Sequence, residues 1–228
     1  IKTAIILTEQ KNYQILNEYS NIVFISLSNK ALEINKNIIN FGINLESQLN
    51  EIFNFLKKQN KKKTVVLYSE GANENFYESV LKNYNDLIFK KLKVSQNQAK
   101  LNEQIKTLTF FNQRKINLDS RIKHLESLSE DPQAELELKK LETMDTLGNL
   151  NFDSIVILDF GANLKSILST LAYVDAGSDR VTVLTINQWF DESLFLESTS
   201  KNIYFPSVDL TPFKNFNNTF TKNFFEKP

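Results

Sequence analysis

Cysteine is absent from all 228 residues, which excludes disulfides and thiolate metal sites. That absence suits an exported bacterial protein avoiding oxidative mispairing as well as it suits a cytosolic one. Histidine occurs once, as His124. One imidazole cannot build a His-based metal cluster, and within a charged helical stretch it reads as a surface residue rather than a base. Glycine (5) and proline (4) are scarce. The Gly-rich phosphate loop and the Gly-x-Ser-x-Gly elbow are both missing; Ser69-Glu70-Gly71-Ala72-Asn73 follows a predicted strand but lacks the repeated glycines and the lysine. No oxygen-ligand loop signature is present, so no metal or other cofactor is expected. Net charge is zero, with 27 basic and 27 acidic residues, so the basic surplus typical of nucleic-acid binders is missing and no nucleic-acid partner is expected. The run Lys61-Lys62-Lys63, between a predicted helix and strand, reads as a solvated turn. No stretch approaches the roughly 18 apolar residues that a membrane helix needs. No signal peptide is recognisable, and a chain opening at Ile1 reads as an excised or truncated segment, which leaves room for a signal upstream.

What is present is an ordinary globular balance, 41% hydrophobic and 24% charged, drawn from a narrow set rich in Lys, Asn, Ile and Phe. Thr3-Ala4-Ile5-Ile6-Leu7, Ile22 to Leu27, Thr64 to Tyr68, Ser154 to Asp159 and Val181 to Ile186 are short apolar runs without alternation. Such runs suit parallel strands covered on both faces. Leu87 to Val94 alternates, which places it toward a sheet edge. Between the strands lie amphipathic helices. Leu45, Leu49, Ile52, Phe53 and Leu56 form one stripe, with Asn44 as N-cap and Glu46 in the first turn. Leu164, Ile167, Leu168 and Leu171 form another. Strands alternating with helices predict an α/β class with right-handed crossovers. From about Gln96 to Thr146 the rhythm breaks into a helical excursion, with Asp131-Pro132 opening its last helix. Its Lys, Arg, Glu and Gln predict a solvated outer face, belonging to a packed crossover or to a protruding surface for a partner.

Carboxylates are plentiful, but none is distinguished as a catalytic pair, and no enzymatic activity is expected. Polar residues instead punctuate the C-terminal ends of the predicted strands, where ligands of open α/β sheets bind. These are Ser26, Ser28 and Asn29; Ser69, Asn73 and Asn75; Asp159, Gly161 and Asn163; and Asn187, Gln188 and Trp189. Trp189, the single tryptophan, sits among Gln188, Phe190 and Asp191 and reads as the wall of a small-molecule cleft or as a hydrophobic plug between lobes. The tentative cleft set is Ser28, Asn29, Ser69, Asn75, Asp159, Asn163, Gln188 and Trp189.

The stretch Ser26-Leu27-Ser28-Asn29, followed by Phe41-Gly42-Ile43-Asn44-Leu45-Glu46-Ser47-Gln48, resembles type I periplasmic binding proteins. There a phe-gly-x-(thr/asn)-pro-glu-x-gln segment starts the helix that crosses between lobes; Leu45 stands where proline is common. Further on come Gln104 to Thr109, Gln113-Arg114, Leu118-Asp119-Ser120-Arg121 and Asp145-Thr146-Leu147-Gly148. Asn151 to Ile157, Leu164-Lys165-Ser166, Gln188-Trp189-Phe190-Asp191 and Ile203-Tyr204-Phe205-Pro206-Ser207 complete the order. Together they resemble the penicillin-binding protein activator family, which shares its fold with receptor-type substrate-binding proteins of ABC transporters.

The resemblance implies two Rossmann-like lobes with parallel sheets, the first incomplete, since its opening strand–helix units would precede Ile1 and more would follow Pro228. Residues 1–45 would belong to the first lobe, 46–206 to the second with its helical insertion at about 96–146, and 207–228 to a return toward the first. It also implies a periplasmic protein, attached to the membrane through a lipid anchor outside this segment. Its role would be non-enzymatic, activating or scaffolding peptidoglycan synthesis with a peptidoglycan synthase or another envelope protein as partner. The alternative is a solute-binding protein closing on an amino acid or similar small polar ligand between lobes.

Overall fold

The computed structural model describes residues 2–6, 13–27, 37–128, 131–187, 194, 196, 198–207 and 210–225. The fold is α/β, with two wholly parallel sheets. The first sheet has the order β1-β2-β3, from β1 (Lys2–Ile6), β2 (Ile22–Ser26) and β3 (Ile38–Asn40). Helix α1 (Leu45–Lys58) then leads into the second sheet. As expected, Asn44 caps α1: its Oδ1 accepts from Ser47 N at 2.8 Å.

The second sheet has the order β5-β4-β6-β7-β8. Its strands are β4 (Thr64–Ser69), β5 (Lys90–Val94), β6 (Ser154–Ile157), β7 (Thr182–Thr185) and β8 (Ile203–Tyr204). From β4 the chain steps outward through α2 (Glu74–Leu81) to β5, an edge strand as its alternation predicts. It then returns past β4 through α3 (Gln98–Thr109) and the pair α4 (Phe111–Glu126) and α5 (Pro132–Leu141) to β6. Helix α6 (Gly161–Tyr173) links β6 to β7, and α7 (Leu210–Phe224) closes the chain.

The unbroken apolar strands feed two cores because successive side chains point to opposite faces. Val65, Leu67, Ile155, Ile157 and Val183 pack with α3 and α6. Val66, Tyr68, Val156, Leu158 and Leu184 pack with α1 and α2. The stripe predicted for α1 is the buried one, and Leu49 is wholly enclosed. Helices α4 and α5 share a smaller core of their own around Leu118, Leu125, Ala134 and Leu141. Arg121 clasps Glu137 across it through two bonds of 2.9 and 2.7 Å.

Helix ends are closed by local chemistry. At the end of α1, Asn60 is left-handed (φ 55°), and its N–H and that of Lys61 donate to the Lys57 and Leu56 carbonyls. Helix α6 ends the same way at Asp175 (φ 52°), with Ala176 N bonding Leu171 O at 2.9 Å. Among the described residues no helix is long and apolar enough to cross a membrane.

Candidate functional site

The strand order of the second sheet reverses at β4, because β5 lies on one side and β6 on the other. Loops leaving β4 and β6 diverge to opposite faces there, the place at which open α/β sheets hold ligands. Leu67 pairs with Ile157, and carrying that register forward sets Asp159 level with Ser69. The fold thus brings Ser69, half-buried, and Asp159, buried, side by side at the switch point.

Around them stands a small aromatic and polar group. The Tyr68 hydroxyl donates to Glu78 Oε1 at 3.0 Å, and its ring meets the Tyr77 ring edge-on at 6.3 Å. Burial, then the bond to the negative Glu78, push the Tyr68 phenol up to about 12. Tyr77 is raised by burial and by the Asp159 carboxylate, partly offset by a hydrogen bond with Asn73. The Asp159 carboxylate accepts from Phe160 N at 3.0 Å. Helices α2 and α6 both begin at this edge; Asp159 is met there by the Phe160 N–H and the Tyr77 phenol, while the Tyr68 phenol is spent on Glu78.

The exit of β4 is tied to that of β5. Glu70 Oε1 accepts from Ser95 Oγ at 2.6 Å and Gln96 N at 3.3 Å, and the Ser95 hydroxyl holds the Glu70 carboxyl below its ordinary range. Farther along the edge, Asn187 N donates to Gln48 Oε1 at 2.8 Å, joining the exit of β7 to the first turns of α1. A cavity of about 150 Å³ beside this bond is lined by Ile43, Ser47, Gln48, Glu51, Pro206 and Ser207 with Asn187. It marks where the chain passes toward and away from the second sheet.

Of the residues predicted for the cleft, Ser69 and Asp159 come together, joined by Asn73 through Tyr77. Asn75 is exposed on α2, and Asn163 lies half-buried in the first turn of α6. Ser26 is wholly buried at the end of β2, with its carbonyl accepting from Phe41 N. Ser28, Asn29, Gln188 and Trp189 lie outside the described residues. Sequence reasoning missed Tyr68, Tyr77, Glu78 and Gln48 as members of this edge. Their signal was a phenol ending an otherwise aliphatic strand, followed by Tyr77-Glu78 on a short helical stretch.

No protein-family model matches the chain, and no curated protein does. Among solved structures, an extracellular ligand-binding receptor from Desulfohalobium retbaense superposes with a TM-score of 0.47 at 11% identity. The match covers 94% of this chain and 32% of that one, so the chain spans just under a third of the receptor's length.

Proposed function

We propose that this chain is a piece of a non-enzymatic, extracytoplasmic receptor-fold protein that works through a protein partner, as an activator or scaffold of peptidoglycan synthesis. The observation that carries this reading is the α4–α5 helical pair. Helix α3 runs back from the ligand edge, so α4 starts at the opposite, N-terminal edge of the sheet. There the buried guanidinium of Arg114, on the first turn of α4, grips the backbone ending α3 and α6. The pair has its own core, a two-pronged Arg121–Glu137 clasp and exposed apolar side chains in Ile116 and Leu136 (56% and 70%). A pure crossover from β5 to β6 needs only α3; two further helices on a fixed base suit a partner surface. The activator-family motifs read in the sequence supply the choice of partner, a peptidoglycan synthase. In this reading residues 1–45 and 207–228 belong to a first lobe and 46–206 to a second.

The second reading, a solute receptor, is favoured by the Tyr68, Tyr77 and Asp159 group at the switch point. A small polar ligand would then contact Ser28, Asn29, Ser69, Asn75, Asp159, Asn163, Gln188 and Trp189 between lobes. One pair of measurements separates the two. Immobilised protein is tested for capture of a purified peptidoglycan synthase, with Ile116→Glu and Leu136→Glu as surface variants, and thermal shift is read against amino acids and short peptides. Capture lost in the surface variants, with a flat thermal screen, supports the activator. A shift of several degrees with one ligand class and no capture refutes it in favour of the receptor.

A further inference from the structure

The N-terminal edge of the second sheet collects cations on a chain whose net charge is zero. Lys57 and Lys58 end α1, Lys61, Lys62 and Lys63 form the turn into β4, and Lys90 opens β5 beside it. Register holds them on one edge, since Lys90 pairs with Val65 and Phe89 N donates to Thr64 O at 2.8 Å. Lys61 is half-buried and the other five are exposed. Among the described residues none of the six is ion-paired. The carboxylates facing them are Asp86, Asp153 and Asp179; Asp179 shares a cavity with Lys61 and Arg180, and Asp153 is occupied by the backbone N–H groups of Lys62 (2.8 Å) and Lys63 (3.2 Å). The α1 dipole accounts for Lys57 and Lys58. It does not account for the turn lysines or for Lys90.

Two further features stand within this patch. Leu87 and Phe89 are exposed there, at 52% and 47%, with the Lys63 ammonium 5.6 Å from the Phe89 ring centre. Beside them opens a crevice of about 510 Å³, with Phe53, Leu56 and Thr64 buried at its floor and Lys57, Lys61 and Lys62 at its rim. Ammonium groups around protruding apolar side chains are the makings of an interfacial membrane contact: the charges meet anionic headgroups while Leu and Phe enter the acyl boundary. A soluble polyanion would reward the lysines but leave Leu87 and Phe89 without a purpose.

We infer that this edge docks the protein on an anionic lipid bilayer, with headgroups at the Lys57, Lys61 and Lys62 crevice and Leu87 and Phe89 inserted. The docked edge is opposite the switch-point group, which stays open to the aqueous side. The test is sedimentation with vesicles made with and without an anionic lipid, across a salt series. Binding is expected to need the anionic lipid and to weaken as salt rises. The triple variant Lys61→Gln, Lys62→Gln, Lys63→Gln keeps the backbone bonds to Asp153; its affinity should fall on the order of 100-fold, about fivefold per lysine. The double variant Leu87→Ser, Phe89→Ser should lose vesicle affinity while holding soluble polyphosphate as the parent does. Indifference to lipid charge, a triple variant that binds like the parent, or a double variant with full vesicle affinity would each overturn the inference. The last would mark the edge as a surface for soluble polyanions.

Discussion

Arg114→Met tests the base on which the α4–α5 pair stands. Arg114 is 3% exposed, and its side chain is spent on backbone. Nε donates to Thr109 O at 3.0 Å, Nη2 to Val174 O at 2.6 Å, and Nη1 to Asp175 O at 3.0 Å. Nη1 also reaches Thr146 Oγ1 at 2.7 Å and lies 3.5 Å from the Asp175 carboxylate, to which Thr146 itself donates. The carbonyls belong to the ends of α3 and α6, where helices leave acceptors unsatisfied, so one cation closes two C-termini. Methionine fills most of the volume but donates nothing. Three carbonyls left dry would cost roughly 1–3 kcal/mol each. Against that, burying the guanidinium is itself costly, and burial already lowers its basicity in spite of Asp175. The net loss should be about 3 kcal/mol, roughly 8 °C in melting temperature for a chain of this size. Arg114→Lys keeps the charge but not the fork and should lose about half as much. Urea unfolding gives the free energy, and hydrogen exchange says where it is lost. Protection should fall first in α4, α5 and the 142–150 segment, ahead of the strands, and capture of a partner through the pair should weaken with it. A shift under about 1 kcal/mol with unchanged slope would refute the clamp.

Leu49→Ala, at a fully enclosed site on α1, should destabilise by about 2–5 kcal/mol in the same urea assay. Tyr68→Phe tests the phenol: with its folded value near 12 against an unfolded value of 10.0, its contribution is complete below pH 10 and lost as pH rises toward 12. The parent should therefore lose on the order of 2 kcal/mol more than the variant across that window, read by alkaline unfolding. Asn60→Val places a β-branched residue at a left-handed position that closes α1 and should cost about 1–2 kcal/mol, whereas Asn60→Gly should be neutral or slightly stabilising. Gln48→Ala removes the acceptor of Asn187 N across 139 residues of sequence; amide exchange at Asn187 should quicken while global stability falls by about 1 kcal/mol.

The strands and helices that were legible in the sequence are those whose side chains do the organising. Thr64 to Tyr68, Ser154 to Asp159 and Val181 to Ile186 read as covered parallel strands because both faces are buried. The α1 stripe and its Asn44 cap were readable at single-residue precision. The three residues of β3 and the two of β8 are too short to carry a period, and only backbone pairing with a longer neighbour makes them strands. Helix α2 was overlooked although Tyr77, Val80 and Leu81 mark a buried face after Asn73. Helix α7 was overlooked as well, despite Phe216, Phe220 and Phe224 meeting as tilted ring pairs at helical spacing. Arg114 looked like one more cation on a solvated helix, since its partners are carbonyls up to 61 residues away and a carbonyl has no sequence signature. The site was half readable for the same reason. Strand ends announce Ser69 and Asp159, but which phenols fold over them depends on how α2 packs.

A parallel sheet gives its two edges different chemistry, and that asymmetry organises the functional argument. At the C-terminal edge helices begin, so N–H groups and loops converge, and Ser69, Asp159 and the phenols gather there. At the N-terminal edge helices end, so carbonyls accumulate and cations are drawn in. Arg114 answers the ends of α3 and α6 from within, while Lys57 and Lys58 answer the end of α1 from outside. The group proposed for a small ligand and the edge proposed for docking therefore lie at opposite ends of the sheet, separated by the full length of strands whose residues are wholly buried at Val65, Val66 and Leu67. Substitutions at the two edges share no partners and should add in stability within a few tenths of a kcal/mol. A measured coupling beyond that between Lys62→Gln and Tyr68→Phe would mean that the sheet transmits strain between edges, and ligand capture would then control docking.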